Sequence, residues 1–148
     1  MLKIVYEPAH IDMFHVFDPE AAAVTEAGLF VMKDRTDAKV VKVSDGTDVW
    51  GILAQHVYPD PGNKVTRPYN NFEAYVGDVV AVYTEDGYFE TDQFVDGTYE
   101  PGDVLYVTNE GKLTNTKATD TASATDGTIP VGRVVEHKGD VLFFFFQQ

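Results

Sequence analysis

Apolar and polar residues alternate along this chain in short bursts, not in long stripes. Leu2, Ile4 and Tyr6 share one side of a two-residue repeat that Pro8 ends. Further on, Leu29-Phe30-Val31-Met32 and Val49-Trp50-Gly51-Ile52-Leu53-Ala54 are continuous apolar runs, and Lys39-Val40-Val41-Lys42-Val43 is half-alternating. Phe72 to Tyr83 breaks at Gly77-Asp78 into two short runs, with Val79, Ala81 and Tyr83 on one face and Val80 and Val82 on the other. The last part of the chain follows the same pattern, with Val104-Leu105-Tyr106-Val107, Ile129 to Val135, then Val141-Leu142 and four phenylalanines, Phe143, Phe144, Phe145 and Phe146. Between the runs stand Ser44-Asp45-Gly46, Glu85-Asp86-Gly87, Asp96-Gly97, Pro101-Gly102, Asn109-Glu110-Gly111 and Lys138-Gly139-Asp140, all turn-forming. Strands this short, spaced at roughly 8–12 residues with turns between them, predict an all-β sandwich or barrel in place of βαβ units.

Two segments depart from that pattern. Residues 1–17 carry Ile11, Met13, Phe14, Val16 and Phe17 without a clean period, which predicts an extended N-terminal arm docked on the protein's own core or on a neighbour. Asp18 to Gly28 holds the start and stop signals of one short helix: a capping Asp18, Pro19 at the first helical position, Glu20 at the positive dipole end, and Gly28 to end it. The expected fold is therefore mainly β, a small antiparallel β-barrel or β-sandwich with an extended N-terminal arm and at most one short helix. Residues 18–148 form a single β-rich domain. Inside it, Gly28-Leu29-Phe30, Asp45-Gly46-Thr47 and Gly51-Ile52-Leu53 are echoed by Gly102-Asp103-Val104, Asp126-Gly127-Thr128 and Gly132-Arg133-Val134, suggesting two weakly similar β units over 24–58 and 99–137. Asn115 to Thr128, mostly Thr, Ala, Ser and Asp, has little to bury and reads as a mobile surface loop. The proline-stiffened stretch around Pro59, Pro61 and Pro68 reads as an exposed loop presenting Lys64, Arg67 and Tyr69.

Composition narrows the chemistry. A chain of 148 residues is long enough to bury a core without disulfides, and it has no cysteine, which excludes thiolate chemistry and fits synthesis in a reducing cytoplasm. No signal-peptide pattern opens it and no apolar run is long enough to span a membrane. Twenty-four acids against eleven bases give a net charge of −13, and ten acids with no Lys or Arg lie between Pro68 and Gly111. That sign opposes nucleic-acid binding. The two serines, Ser44 and Ser123, stand in a turn and a polar loop without a nucleophile motif, so no catalytic residue is assigned. His10, Asp12 and His15 have metal-ligand side chains at a spacing that matches no strong motif, and Glu85, Asp86, Glu90 and Asp92 lack the calcium-loop pattern; neither set is assigned a metal, and no cofactor is expected. Four consecutive phenylalanines present Phe143 and Phe145 to one side of a strand and Phe144 and Phe146 to the other, so that both pairs fill the core or one pair forms a subunit interface.

Pro101-Gly102-Asp103-Val104-Leu105-Tyr106-Val107, Asn109-Glu110-Gly111-Lys112-Leu113-Thr114, Ile129-Pro130-Val131-Gly132-Arg133-Val134-Val135 and the apolar final strand together resemble the tailed-bacteriophage capsid decoration, or cement, proteins. The resemblance covers about the last third of the chain, with a fainter echo over residues 24–54. It implies a non-enzymatic, often trimeric β domain on the outer surface of the virion, bound to the major capsid protein and stabilising the mature head. It further implies a capsid-binding arm, here Leu2, Ile4, Tyr6, Ile11, Phe14 and Phe17. The residues themselves, and not the resemblance, make Lys64, Arg67 and Tyr69 a candidate capsid-contact loop and Phe143 to Phe146 a candidate subunit interface. The alternative reading is a tail, fibre or surface module that binds carbohydrate through exposed aromatics such as Trp50, Tyr69 and Tyr88.

Overall fold

A computed structural model of the chain describes residues 1–6, 11–59 and 73–147. All regular structure among them is β. One sheet of six strands runs in the order β1 (Leu2–Tyr6), β9 (Gly87–Thr91), β13 (Val141–Phe146), β12 (Pro130–Lys138), β10 (Val104–Val107), β11 (Leu113–Thr114). A closed five-stranded barrel is built from β2 (Ile11–Phe17), β4 (Val40–Val43), β3 (Phe30–Lys33), β5 (Gly51–Leu53) and β8 (Val79–Tyr83). A small parallel pair, β6 (His56–Tyr58) with β7 (Glu73–Tyr75), completes it.

The continuous apolar runs explain how the barrel and sheet combine. A strand that alternates apolar and polar residues has one wet face, whereas one that is apolar throughout is buried on both. β3, β5 and β8 are of the second kind. Val31, Leu53, Val80 and Val82 join Phe17, Val41, Val57 and Ala74 in one core cluster, while Phe30, Ile52 and Tyr83 belong to another, shared with the six-stranded sheet. There Phe30 meets Phe146 at 5.5 Å and Phe144 at 6.4 Å between ring centroids, and Tyr83 meets Phe89 at 5.3 Å. Three barrel strands are thus a wall common to both cores.

The arm docks on the protein's own sheets: β1 pairs antiparallel with β9, and β2 pairs with β8 and, in parallel, with β4. The helix expected over 18–28 does not form. Asp18 accepts the Glu20 N–H at 2.9 Å and a turn follows, but Thr25 then bridges Val57 and the Gly28 N–H donates to Leu53 O at 2.8 Å. A run of alanines offers no apolar stripe to hold an isolated helix, and these tertiary bonds take its backbone groups instead. The stretch 115–128 is likewise not the loose loop its composition suggests. Ala118 is buried and its N–H donates to Gly127 O at 2.8 Å, the Gly127 N–H donates to Thr116 O, and the Asn109 N–H donates to Ser123 O at 3.0 Å.

Candidate interaction surface

Two residues of β2 stand out because a bulge displays them. β2 and β8 pair Asp12 with Val82 and His15 with Val80, so β2 takes three steps where β8 takes two. An extra residue breaks the in-and-out alternation and re-aims side chains. Asp12 turns inward, and His15 Nδ1 donates to its Oδ2 at 2.6 Å; a carboxylate only accepts, which fixes the proton on Nδ1. The pair closes across the bulge. The two residues it brackets, Met13 and Phe14, are 57% and 84% exposed, with Ile11 exposed beside them. The base of this knob is buttressed: His15 meets Trp50 edge-on at 4.5 Å, and Lys33 Nζ stands 4.9 Å from the centre of the Trp50 ring. Burying a phenylalanine is worth roughly 1.5–3 kcal/mol, a gain that Phe14 forgoes in the single chain.

A second surface lies on the outer face of the six-stranded sheet. Directly opposed residues of antiparallel strands share a face. β12, β13 and β9 therefore set Arg133, Phe145 and Tyr88 in one row, and Glu136, Phe143, Glu90 and Lys3 of β1 in the next. Tyr88 packs 4.8 Å from Phe145 and 6.5 Å from Phe143, and Phe145 remains 45% exposed.

The other two phenylalanines need correction. Phe144 and Phe146 are fully buried against Phe89 and Phe30, because β13 turns them to the face that meets the barrel; they belong to the protomer core and not to an interface. Phe17 is also withdrawn from the arm's contact set. Past the bulge it points into the barrel, its N–H donating to Asp78 O at 2.9 Å. Of the remaining arm residues, Leu2 is half-buried while Ile4, Ile11 and Phe14 are exposed. The side chain of Tyr6 lies outside the described residues, as do Lys64, Arg67 and Tyr69.

The charged groups mostly serve turns and strand ends. Hydrogen bonds from Thr36 and Thr47 hold the Asp34 and Asp45 carboxyls below the ordinary range, and the Glu100 N–H and Asn115 amide do the same for Asp103. Burial alone would raise Asp92, but the N-terminal ammonium and Gln93 outweigh it and lower the carboxyl. Glu90 meets Lys3 at 3.7 Å. Among the described residues no three His, Asp or Glu side chains come together as metal ligands.

No protein-family model matches the chain, and no curated protein is similar to it in sequence. The surfaces must be read from their own geometry. Sequence reasoning names Phe14 as an arm contact and Tyr88 as a carbohydrate-stacking aromatic, but leaves Met13 and Arg133 out of its contact sets. Met13 was hidden because a bulge is a two-strand property, and the Arg133–Phe145–Tyr88 row because it needs a register between three strands.

Proposed function

We propose that this chain is a non-enzymatic virion protein that decorates the outer surface of a tailed-phage capsid and stabilises the mature head. The observation that carries the reading is the Met13–Phe14 knob, an apolar contact held out by a buttressed bulge, with Ile11 exposed beside it. An exposed phenylalanine of this kind is matched to a partner's pocket. A lattice of identical major capsid subunits offers the same pocket many times, so modest single contacts suffice when copies also bind one another. The Arg133–Phe145–Tyr88 row supports contact between copies, proposed here as a homotrimer, because aromatic residues and arginine are enriched at interfaces. Carbohydrate binding has less in its favour, since the Trp50 ring is engaged by His15 and Lys33 and the Tyr88 ring by Phe145.

The test mixes purified protein with undecorated heads built from its cognate major capsid protein and sediments them. Wild-type protein is expected to pellet at near-stoichiometric copy number, and a Met13→Ser, Phe14→Ser double variant with unchanged thermal unfolding is expected to stay in the supernatant. Failure of the wild type to pellet, or equal pelleting of the two proteins, overturns the reading.

A further inference from the structure

One ring nitrogen is claimed by two partners that require it in opposite states. His56 opens β6, and its Nδ1 accepts the Ala27 N–H at 3.3 Å. The same Nδ1 stands 2.7 Å from Glu26 Oε2. An amide N–H needs a bare lone pair on that nitrogen, whereas a carboxylate only accepts and needs a proton there. The two bonds therefore belong to different protonation states of one ring. His15 supplies the contrast: among the described residues a carboxylate is the one partner of its Nδ1, so that nitrogen keeps its proton.

Burial decides which partner the neutral ring takes. Ala27 is 5% exposed and its N–H has no other acceptor among the described residues, so losing His56 leaves a buried donor unpaired. The Glu26 side chain is 48% exposed and can turn its carboxylate to water at little cost. The neutral ring thus carries its proton on Nε2 and accepts from Ala27. A second proton, on Nδ1, reverses the preference: the charged ring has no lone pair for Ala27, and its Nδ1–H donates to Glu26. The flanking residues are pinned independently. Thr25 and Val57 each donate an N–H to the other's carbonyl at 2.8 Å, and the Gly28 N–H donates to Leu53 O at 2.8 Å. The exchange is thereby confined to residues 26 and 27.

We infer that His56 is a proton-operated switch that exchanges Ala27 for Glu26 at its Nδ1. With the ring neutral, the Glu26 carboxylate is released and the pair of side chains is net negative; with the ring protonated, the carboxylate is tied down and the pair is neutral. This change of surface charge falls beside the first strand, because Ala27 O accepts from the N-terminal ammonium at 3.1 Å. Three other titratable groups stand around the ring. Met1 and Tyr83 line the same hollow as His56. The ammonium of Met1 is paired with Asp92, and burial pushes the Tyr83 phenol up, so it stays uncharged through the histidine range. On β7, Glu73 is opposite His56 in register, with its side chain outside the described residues.

The test is NMR on the isotope-labelled full chain between about pH 8 and pH 5, the range in which histidine titrates. Imidazole nitrogen shifts give the tautomer of His56. Amide hydrogen exchange, corrected for the intrinsic rate at each pH, gives the protection of Thr25, Ala27 and Gly28. Neutral His56 is expected to hold its proton on Nε2. As the ring titrates, Ala27 should lose protection at least about tenfold, with the midpoint of the His56 ring signals, while Thr25 and Gly28 keep theirs. Coincidence with that midpoint separates the effect from titration of the N-terminus. His56→Gln offers Ala27 an acceptor that does not titrate and is expected to remove the pH dependence, with thermal unfolding recorded for the variant. Should it fail to fold, the comparison of the three amides in the wild type carries the test. Neutral His56 protonated on Nδ1, constant Ala27 protection through the titration, or joint loss at all three amides overturns the proposal. So does an unchanged pH dependence in folded His56→Gln.

Discussion

Four adjacent phenylalanines divide into two kinds of residue because a strand has two faces. Phe144 sits in the shared core with rings of Phe89 and Phe30 within 6.4 Å, so Phe144→Ala is expected to cost about 3–5 kcal/mol in urea unfolding. Phe145→Ala leaves no cavity, and an effect below about 1 kcal/mol is expected in the same assay. Equal losses for the two would contradict the register of β13. The alternation itself was legible in the sequence. Which pair faced inward was not, since that depends on the side of the sheet the barrel covers. Asp92 illustrates a second residue-level effect that only the fold reveals, because its partner, the chain's own N-terminus, is ninety-one positions away. Its folded pKa is lowered, so the stability it adds is present above the unfolded value of about 3.9 and is lost as pH falls through the folded value. Asp92→Asn should therefore lower stability at pH 7 by no more than about 1 kcal/mol, the pair being partly exposed. The gap between wild type and variant should close as the pH falls through the lowered folded value in acid-titrated unfolding curves.

At the scale of elements, local signals and tertiary bonds disagree in two places, and the tertiary bonds win in both. The cap and stop residues of 18–28 are real, yet the chain is drawn out to meet Val57 and Leu53. Composition made 115–128 look loose because composition records apolar area and not backbone hydrogen bonds. The Ala118–Gly127, Gly127–Thr116 and Asn109–Ser123 bonds tie that stretch to itself and to the turn after β10. Thr114 Oγ1 donates to Thr125 O at 2.7 Å from the same side. Native-state hydrogen exchange is expected to show the amides of Asn109, Ala118 and Gly127 protected by at least two orders of magnitude relative to free peptide. Rates near those of an unstructured chain at these three positions would restore the loop reading. A glycine sharpens the same lesson in β12. A Cβ added to Gly132 would overlap the carbonyl oxygen of Phe145, so the close approach of β12 and β13 requires a residue without one. Gly132→Ala is expected to destabilise by roughly 1–3 kcal/mol, read from the shift in urea midpoint at constant slope.

At the scale of the molecule, the decisive feature is the wall of β3, β5 and β8. Two cores would let the barrel and the six-stranded sheet unfold separately if each had its own strands. Here Phe30 and Val31 are neighbours on one strand, Ile52 and Leu53 on another, and Val82 and Tyr83 on a third, and in each couple the two side chains enter different cores. Losing either core strips one face from all three strands and exposes the apolar residues there. The Phe30 N–H also donates to Gly111 O, which ties β3 to the turn before β11. The continuous apolar runs in the sequence announced strands buried on both faces, but not that they would be shared, because sharing needs the non-local pairing of β2 with β4 that closes the barrel. The expected consequence is a single cooperative transition. Trp50, the sole tryptophan, packs against the barrel cluster, so its emission reports that core, while exchange of the β12 and β13 amides reports the other. The two signals should give the same urea midpoint and slope. Ile52→Ala, a change in the shared wall, should move both together. Separated midpoints in the wild type, or an Ile52→Ala variant that shifts the amide signal and leaves Trp50 behind, would show that the wall does not couple the cores.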